Sequence, residues 1–231
     1  MQELNEHFNN AIDLAEQNFS HSNLIMFLKN GNVVERQYAA LNLDKLISEN
    51  EAKILLSNLV GVDGKIREAA ALKIAELTAD YPNYFFDEEN FNTFVNATID
   101  IDGNVCRFAI LAACNLIKNE KFSSFYANAM LKIIINALDE ISKFTFRDKK
   151  YKINKQIFKI YWCLEALTYF YNFADKENLF SILEKCAILS EYTIREKCAK
   201  ILHLTPIGDD LSQLKNLLQN DENYYVRSIF E

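Results

Sequence analysis

The side chains that most often perform chemistry in proteins are few in this chain and far apart. The three histidines, His7, His21 and His203, have no metal-binding spacing, and neither an H-E-x-x-H motif nor a Cys/His cluster occurs. None of the five glycines belongs to a G-x-G-x-x-G or Walker phosphate loop. Cys198 and His203 lie five residues apart on one predicted helix and so point to different faces, which argues against a nucleophilic pair. We expect no catalytic residue, no metal and no cofactor.

Acidic residues do occur in groups, where paired carboxylates could act as acid and base. These groups are Asp87-Glu88-Glu89, Asp100-x-Asp102 and Asp209-Asp210. Each stands just before or at the start of a predicted helix, where unpaired backbone N–H groups and the helix dipole favour negative charge. The pattern therefore predicts helix capping rather than catalysis.

One segment departs from the acidity of the rest of the chain. Residues 143–159 carry seven basic side chains and one acidic one, a net of +6, which leaves the remainder at −13. Phe144, Phe146, Tyr151 and Phe158 interleave with the charges. Such a segment could be a solvated loop, could dock an acidic protein surface, or could bind the phosphates of a nucleic acid and stack its bases. The candidate anion-binding or partner-binding residues are Arg147, Lys149, Lys150, Lys152 and Lys155.

The composition indicates which elements must hold these side chains. The chain has 231 residues, a formal net charge of −7, 50% hydrophobic residues, and only five glycines and two prolines. Folds rich in β-structure need more turn-forming residues than this, so we predict an all-α protein. No Ser/Gly/Pro-rich linker divides the chain, which predicts a single domain over 1–231.

The cysteines and the hydropathy of the chain indicate where in the cell the protein is found. The five cysteines are odd in number, form no C-x-x-C pair and lie inside apolar helical patterns, as reduced thiols do. No apolar run approaches the roughly 18 residues of a membrane span, and the first residues lack the basic and apolar regions of a signal peptide. We predict a cytoplasmic protein that does not enter a membrane.

The predicted helices repeat along the chain. The segment 63–77 is echoed by 191–204, with an Ile-Arg pair in register and small residues one turn later. Five arginines mark the copies: Arg36, Arg67, Arg107, Arg195 and Arg227. Arg107 comes one position late, and the apolar helix 153–172 fills the long gap before Arg195 as a copy without arginine. The spacing predicts about six two-helix units of about 38 residues, with an irregular unit around 120–172.

An acidic or Asn cap, then a Val/Ile-Arg pair, then small residues and Leu at helical spacing resembles the second helix of HEAT repeats. The resemblance is greatest to the bacterial HEAT-like type also seen in phycobilin lyase subunits, and it covers about residues 31–231. It implies a curved α/α superhelical solenoid of about six HEAT-like hairpins, with the second helices along the inner face. Some HEAT-like proteins of about this length are alkylpurine DNA glycosylases, so a nucleic-acid-binding protein and a lyase subunit both stay open as alternatives.

Within such a stack the five arginines are predicted to form a structural ladder, each bonding to acidic caps or carbonyls of a neighbouring unit. A row of anion-binding arginines is the alternative. Stacked hairpins present a long surface that folding has already ordered, so binding a partner loses little further entropy. We therefore expect a non-enzymatic protein-binding scaffold or adaptor. The acidity outside 143–159 predicts a protein partner of basic or mixed charge.

Overall fold

A computed structural model describes residues 12–143, 150–205 and 211–231. This part of the chain contains helices, turns and loops but no β-strand, which confirms the all-α class. Residues 12–15 are helical, and from residue 21 onward the α-helices are α1 His21–Asn30, α2 Val33–Asn42, α3 Glu49–Ser57, α4 Gly64–Asp80, α5 Glu88–Thr98, α6 Gly103–Asn115, α7 Glu120–Ser142, α8 Lys150–Phe170, α9 Lys176–Cys186, α10 Tyr192–Leu204, α11 Ser212–Gln219 and α12 Tyr224–Arg227. Short 3-10 helices follow α4, α8 and α12, at Pro82–Phe85, Tyr171–Phe173 and Ser228–Phe230. None of the described helices combines the length and the apolar composition needed to cross a membrane.

Consecutive helices pair into hairpins, and the hairpins stack as in an α-solenoid. The odd-numbered helix comes first in each pair and the even-numbered helix second. The second helices pack directly against one another, α2 with α4 and α4 with α6, and separately α8 with α10 and α10 with α12. From α1 onward the described helices make six such pairs, in agreement with the number of units predicted from the arginine spacing.

The chain divides into two compact units, Met1–Phe122 and Ser123–Glu231, which we call the N-terminal and the C-terminal unit. Helix α7 starts in the first unit and continues into the second. The single domain over 1–231 that the sequence suggests remains a prediction.

The second helices of the N-terminal unit begin at polar caps and meet through small side chains. Asn32, Asp63 and Asp102 each accept a hydrogen bond from a backbone N–H of the first turn, at 2.8 to 3.0 Å. Ala70 and Ala113 are fully buried on α4 and α6, where a small residue lets two helix backbones approach. These caps and alanines fix where each second helix begins and how closely it packs.

The C-terminal unit is built around α7, with 23 residues, and α8, with 21, which are the two longest of the described helices. They meet where the rings of Tyr126 and Phe170 lie 4.9 Å apart. Lys197 of α10 is buried, and its ammonium group pairs with Glu165 of α8 at 2.5 Å. The long pair lies within the segment 120–172 that the repeat spacing predicts to be irregular.

Candidate interaction surface

Arg67 joins the second hairpin of the N-terminal unit to the third. Its Nε and Nη2 atoms donate to the two carboxylate oxygens of Asp100, in the turn between α5 and α6, at 2.8 and 3.1 Å. Its Nη1 atom donates to the carbonyls of Gly61 and Val62, in the turn before its own helix, at 2.8 and 3.1 Å. The side chain is buried, and the hydrogen bond to Asp100 raises the pKa of Arg67. One guanidinium therefore ties two successive turns together.

Arg195 makes the same set of contacts in the C-terminal unit. Its Nε and Nη2 atoms donate to Asp221, in the turn between α11 and α12, at 2.6 and 2.9 Å. Its Nη1 atom donates to the carbonyls of Leu189 and Ser190, both at 2.9 Å. The hydrogen bond from Arg195 lowers the pKa of Asp221. We call the pairs Arg67–Asp100 and Arg195–Asp221 the turn locks.

The sequence assigned Asp100 to helix capping, and the structure corrects this. Asp102 caps α6, whereas Asp100 accepts from Arg67 and from the backbone N–H of Asp102, the latter at 2.8 Å. Asp221 stands in the same position before the cap Asn223 and accepts from its N–H at 2.8 Å. An aspartate two residues before an Asp or Asn cap is the sequence signal that would have found both lock carboxylates.

Arg36 and Arg227 bond to backbone carbonyls within the described residues and to no carboxylate there. Arg36 Nε donates to the carbonyl of Gly31 at 2.8 Å, and its Nη2 atom donates to the carbonyl of Lys29, in the last turn of α1, at 3.4 Å. Arg227 Nη1 donates to the carbonyls of Asp221 and Glu222, at 2.9 and 2.8 Å. Each of these arginines braces the turn before its own helix, as Arg67 and Arg195 also do.

Arg107 lies outside this arrangement. Because it comes one residue late after its cap, Cys106 occupies the position equivalent to Arg67, where it is buried and its thiol donates to the carbonyl of Asp100 at 3.2 Å. One residue corresponds to about 100° around a helix, which turns Arg107 out to solvent. Burial raises the pKa of the Cys106 thiol to about 12. Arg107 bonds to no carboxylate within the described ranges.

The structure describes only part of the basic segment. Arg147 and Lys149 lie outside the described residues, whereas Lys150, Lys152 and Lys155 are exposed in the first turns of α8. The segment is therefore helical from residue 150 onward rather than a loop throughout.

One face of α8 is rich in lysine. Lys152, Lys155 and Lys159 follow one another at three and four residues, a spacing that places them on the same side of a helix. Lys155 is exposed and Lys159 half-buried, and neither forms an ion pair with a described residue. Tyr151 beside them is exposed. This face carries positive charge into the solvent.

Large aliphatic side chains project from the turns that the first lock joins. Val62 is fully exposed and Ile101 is 81% exposed. The carbonyl of Val62 accepts from Arg67, and Ile101 directly follows Asp100, so both backbones belong to the lock. We call Val62 and Ile101 the aliphatic turn pair.

The second helices of the N-terminal unit also carry a row of leucines. Leu41, Leu72 and Leu111 each stand nine positions after the N-cap of their helix (32, 63 and 102), so they occupy equivalent positions on α2, α4 and α6. Leu41 and Leu111 are exposed and Leu72 is half-buried. These three residues form the leucine row.

Within the described ranges, no group of three or more His, Cys, Asp or Glu side chains is placed to hold a metal ion. His21 lies 3.0 Å from a carboxylate oxygen of Glu51, and the His203 ring lies 6.2 Å from that of Phe230. His7 lies outside the described residues.

No family model matches the chain, and no curated protein matches its sequence. Solved structures do show a general likeness. One is an engineered protein from the Northeast Structural Genomics Consortium, with 12% identity and a TM-score of 0.48 over 90% of this chain and 92% of that one. Another is a designed armadillo repeat protein, with 14% identity and a TM-score of 0.47 over 89% of this chain and 94% of that one. These likenesses are too loose to support a function, which must be argued from the contacts above.

Proposed function

We propose that this chain is a non-enzymatic protein-binding scaffold or adaptor built from HEAT-like hairpins. The observation that supports the proposal most is the aliphatic turn pair, Val62 and Ile101, held in the solvent by the Arg67–Asp100 lock. Four hydrogen bonds from one guanidinium hold the two turns, so the two side chains keep a fixed spacing. A surface that is already ordered loses little entropy when a partner binds, and apolar side chains on it supply the binding energy.

The ladder arginines have a structural role in this proposal. Arg67 and Arg195 join neighbouring hairpins, and Arg36 and Arg227 brace single turns. Because their hydrogen-bonding groups face backbone carbonyls and carboxylates, we assign them to the scaffold rather than to anion binding. The leucine row adds a second apolar surface, on the second helices of the N-terminal unit.

The charge of the N-terminal unit supports a partner of basic or mixed charge. Residues 1–122 contain 10 Lys and Arg against 18 Asp and Glu, a net of −8, whereas residues 123–231 contain 15 against 14, a net of +1. A basic partner would approach the N-terminal unit faster than a neutral one, and added salt would slow that approach.

The test is capture of partners from a native lysate at low salt on the immobilised full chain, compared with a Val62→Ser/Ile101→Ser variant. We expect a set of proteins that wild type retains and the variant loses. Met26→Ser is the matched control, because Met26 is half exposed on α1 and lies outside the aliphatic turn pair. If wild type and the Val62→Ser/Ile101→Ser variant retain the same proteins, or none, this surface does not bind a protein.

A second candidate function, nucleic-acid binding, is favoured by the lysine-rich face of α8. Phosphates would pair with Lys155 and Lys159, and an exposed base could stack on Tyr151. The test is a mobility shift of a single-stranded oligonucleotide at low salt, with Arg147, Lys149, Lys150, Lys152 and Lys155 all changed to Ser. The control changes exposed lysines of the N-terminal unit, Lys29, Lys45, Lys65 and Lys118, in the same way. If both variants still shift the oligonucleotide, or if wild type does not shift it, nucleic-acid binding by this face of α8 is ruled out.

A further inference from the structure

Three tyrosines cluster on the surface of the C-terminal unit, where α10 and α12 begin. The rings of Tyr192 and Tyr225 stack with their centres 6.1 Å apart and their planes at 28°, and Tyr224 meets Tyr225 edge-on at 5.8 Å. Tyr192, Tyr224 and Tyr225 remain 39%, 57% and 61% exposed. We call these three residues the tyrosine platform. Tyrosine is enriched where proteins bind each other, because its ring offers a large apolar area and its hydroxyl a hydrogen bond.

The platform rests on fixed backbone. The Arg195–Asp221 lock ties the turn before α10 to the turn before α12, the two helices that carry Tyr192 and Tyr225. Asn223 caps α12 by accepting from the backbone N–H of Tyr225 at 2.9 Å. The relative placement of the two stacked rings is therefore set by the fold before any partner arrives.

The charge that this surface offers to a partner is negative. Arg195 is buried in its lock, and Arg227 donates to two turn carbonyls while its guanidinium lies 5.9 Å from the ring centre of Tyr224. Glu191, next to Tyr192, is exposed and makes no capping hydrogen bond to α10. The side chain of Glu222 is 91% exposed, with 3.6 Å between its carboxylate and Arg195. Exposed carboxylates and aromatic rings both attract cations, so this surface suits a cationic side chain of a partner.

A shallow depression of about 360 Å³ lies beside the lock that carries the platform, with Arg195 and Asp221 in its lining. Its lining includes Ile188 and Leu217, which are both exposed, and also Glu222, two residues before Tyr224. An apolar side chain of a partner could lie between Ile188 and Leu217 while a neighbouring cationic side chain reaches Glu222.

We propose that the tyrosine platform binds a segment of another protein that presents a lysine or arginine next to an apolar residue. The cation packs on exposed tyrosine surface and pairs with Glu191 or Glu222, and the apolar residue enters the depression. This inference rests on the proposed scaffold function and adds to it a site and the chemistry of the partner.

The experiment selects binders from a phage library of random peptides on the immobilised full chain, with a Tyr192→Ala/Tyr225→Ala variant as the counter-selection. Enriched peptides are synthesised, and their Kd values are measured by fluorescence anisotropy. We expect Lys or Arg beside apolar residues, and affinity that falls roughly tenfold or more in the tyrosine variant. Glu191→Gln/Glu222→Gln, which changes only exposed carboxylates, should weaken binding several-fold, with a loss that shrinks as salt is added.

The matched control is Tyr151→Ala/Tyr169→Ala, which removes two exposed tyrosines from α8 of the same unit. It should leave the Kd unchanged. Acidic peptides, or basic peptides that bind all the variants equally, would overturn the platform while leaving the scaffold function in place. Peptides lost only with Val62→Ser/Ile101→Ser would assign binding to the N-terminal unit, and a library without any enriched peptide would count against both proposals.

Discussion

The two turn locks have the same geometry, yet they lie beneath different surfaces. In the N-terminal unit, the aliphatic side chains of Val62 and Ile101 project from the turns that the Arg67–Asp100 lock joins. In the C-terminal unit, exposed tyrosines stand at the starts of the two helices whose preceding turns the Arg195–Asp221 lock joins. The units also differ in charge, at −8 and +1. The hydrogen bonds of the two locks agree atom by atom, whereas the exposed residues near them differ. We therefore assign the locks to the fold and the exposed residues to the choice of partner.

A charge in the packed interior should have the largest effect on either unit. Ala70→Asp places a carboxylate at a fully buried position on α4, so we expect a loss of about 4 kcal/mol in the free energy of unfolding. Chemical denaturation followed by circular dichroism measures it. Ala79→Asp, on the exposed side of the same helix, should cost less than about 1 kcal/mol. An unchanged unfolding curve for Ala70→Asp would show that α4 is placed incorrectly.

Removing a lock carboxylate should have a smaller effect, and a similar one in both units. Asp100→Ala leaves the buried guanidinium of Arg67 with its backbone partners only, and Asp221→Ala leaves that of Arg195 with its backbone partners and the exposed Glu222 at 3.6 Å. Hydrogen bonds to charged groups contribute about 2 kcal/mol. Urea unfolding of the two variants measures the loss. If only one variant is destabilised, the two locks contribute differently to the free energy of unfolding in spite of their shared geometry.

The C-terminal lock should respond to acid. Because Arg195 holds the pKa of Asp221 below its usual value, the carboxylate contributes stability above about pH 4 and loses it as the pH falls through the lowered pKa. We expect the difference in unfolding free energy between wild type and Asp221→Asn to narrow below about pH 4. Ala79→Ser, at an exposed position on α4, changes no titratable group and is the control, so its difference from wild type should not depend on pH. A difference that stays constant down to pH 2 would contradict the assigned pKa direction.

The smallest effect is expected at the arginine that lies outside the locks. Arg107→Ala should change the free energy of unfolding by less than about 0.5 kcal/mol, because the side chain is exposed and reaches no carboxylate in the described residues. Arg67→Ala, measured in the same thermal or urea series, should cost several times more. Equal losses would mean that Arg107 makes a stabilising contact of its own.

Much of the architecture could be predicted from the sequence because its signals are local. Asn32, Asp63 and Asp102 mark where second helices begin, and the small residues that follow mark their packed faces. The all-α class and the six hairpins depend on such short-range patterns. The position of Arg107, one residue late after its cap, is also visible in the sequence, and about 100° of helix rotation per residue turns its side chain away from the ladder.

The partners of the candidate residues could not be predicted in the same way. Arg67 and Asp100 are 33 residues apart, and only the stacking of two hairpins brings them together. The platform depends on Tyr192 and Tyr225 in the same manner, and tyrosines at helix starts carry no local signal that they will be exposed and stacked. Three-dimensional contact between repeats, rather than pattern within one repeat, determines this part of the molecule.

The spacing within the locks has a consequence for how this chain can change in length. The two residues of a lock are 33 positions apart in the N-terminal unit and 26 in the C-terminal unit, although their atoms meet in the same way. Helix α4 is correspondingly longer than α10, with 17 residues against 13. The same junction therefore forms over intervals that differ by seven residues, so the turns between the helices of such an interval are the places where we expect a change of length to leave the lock intact.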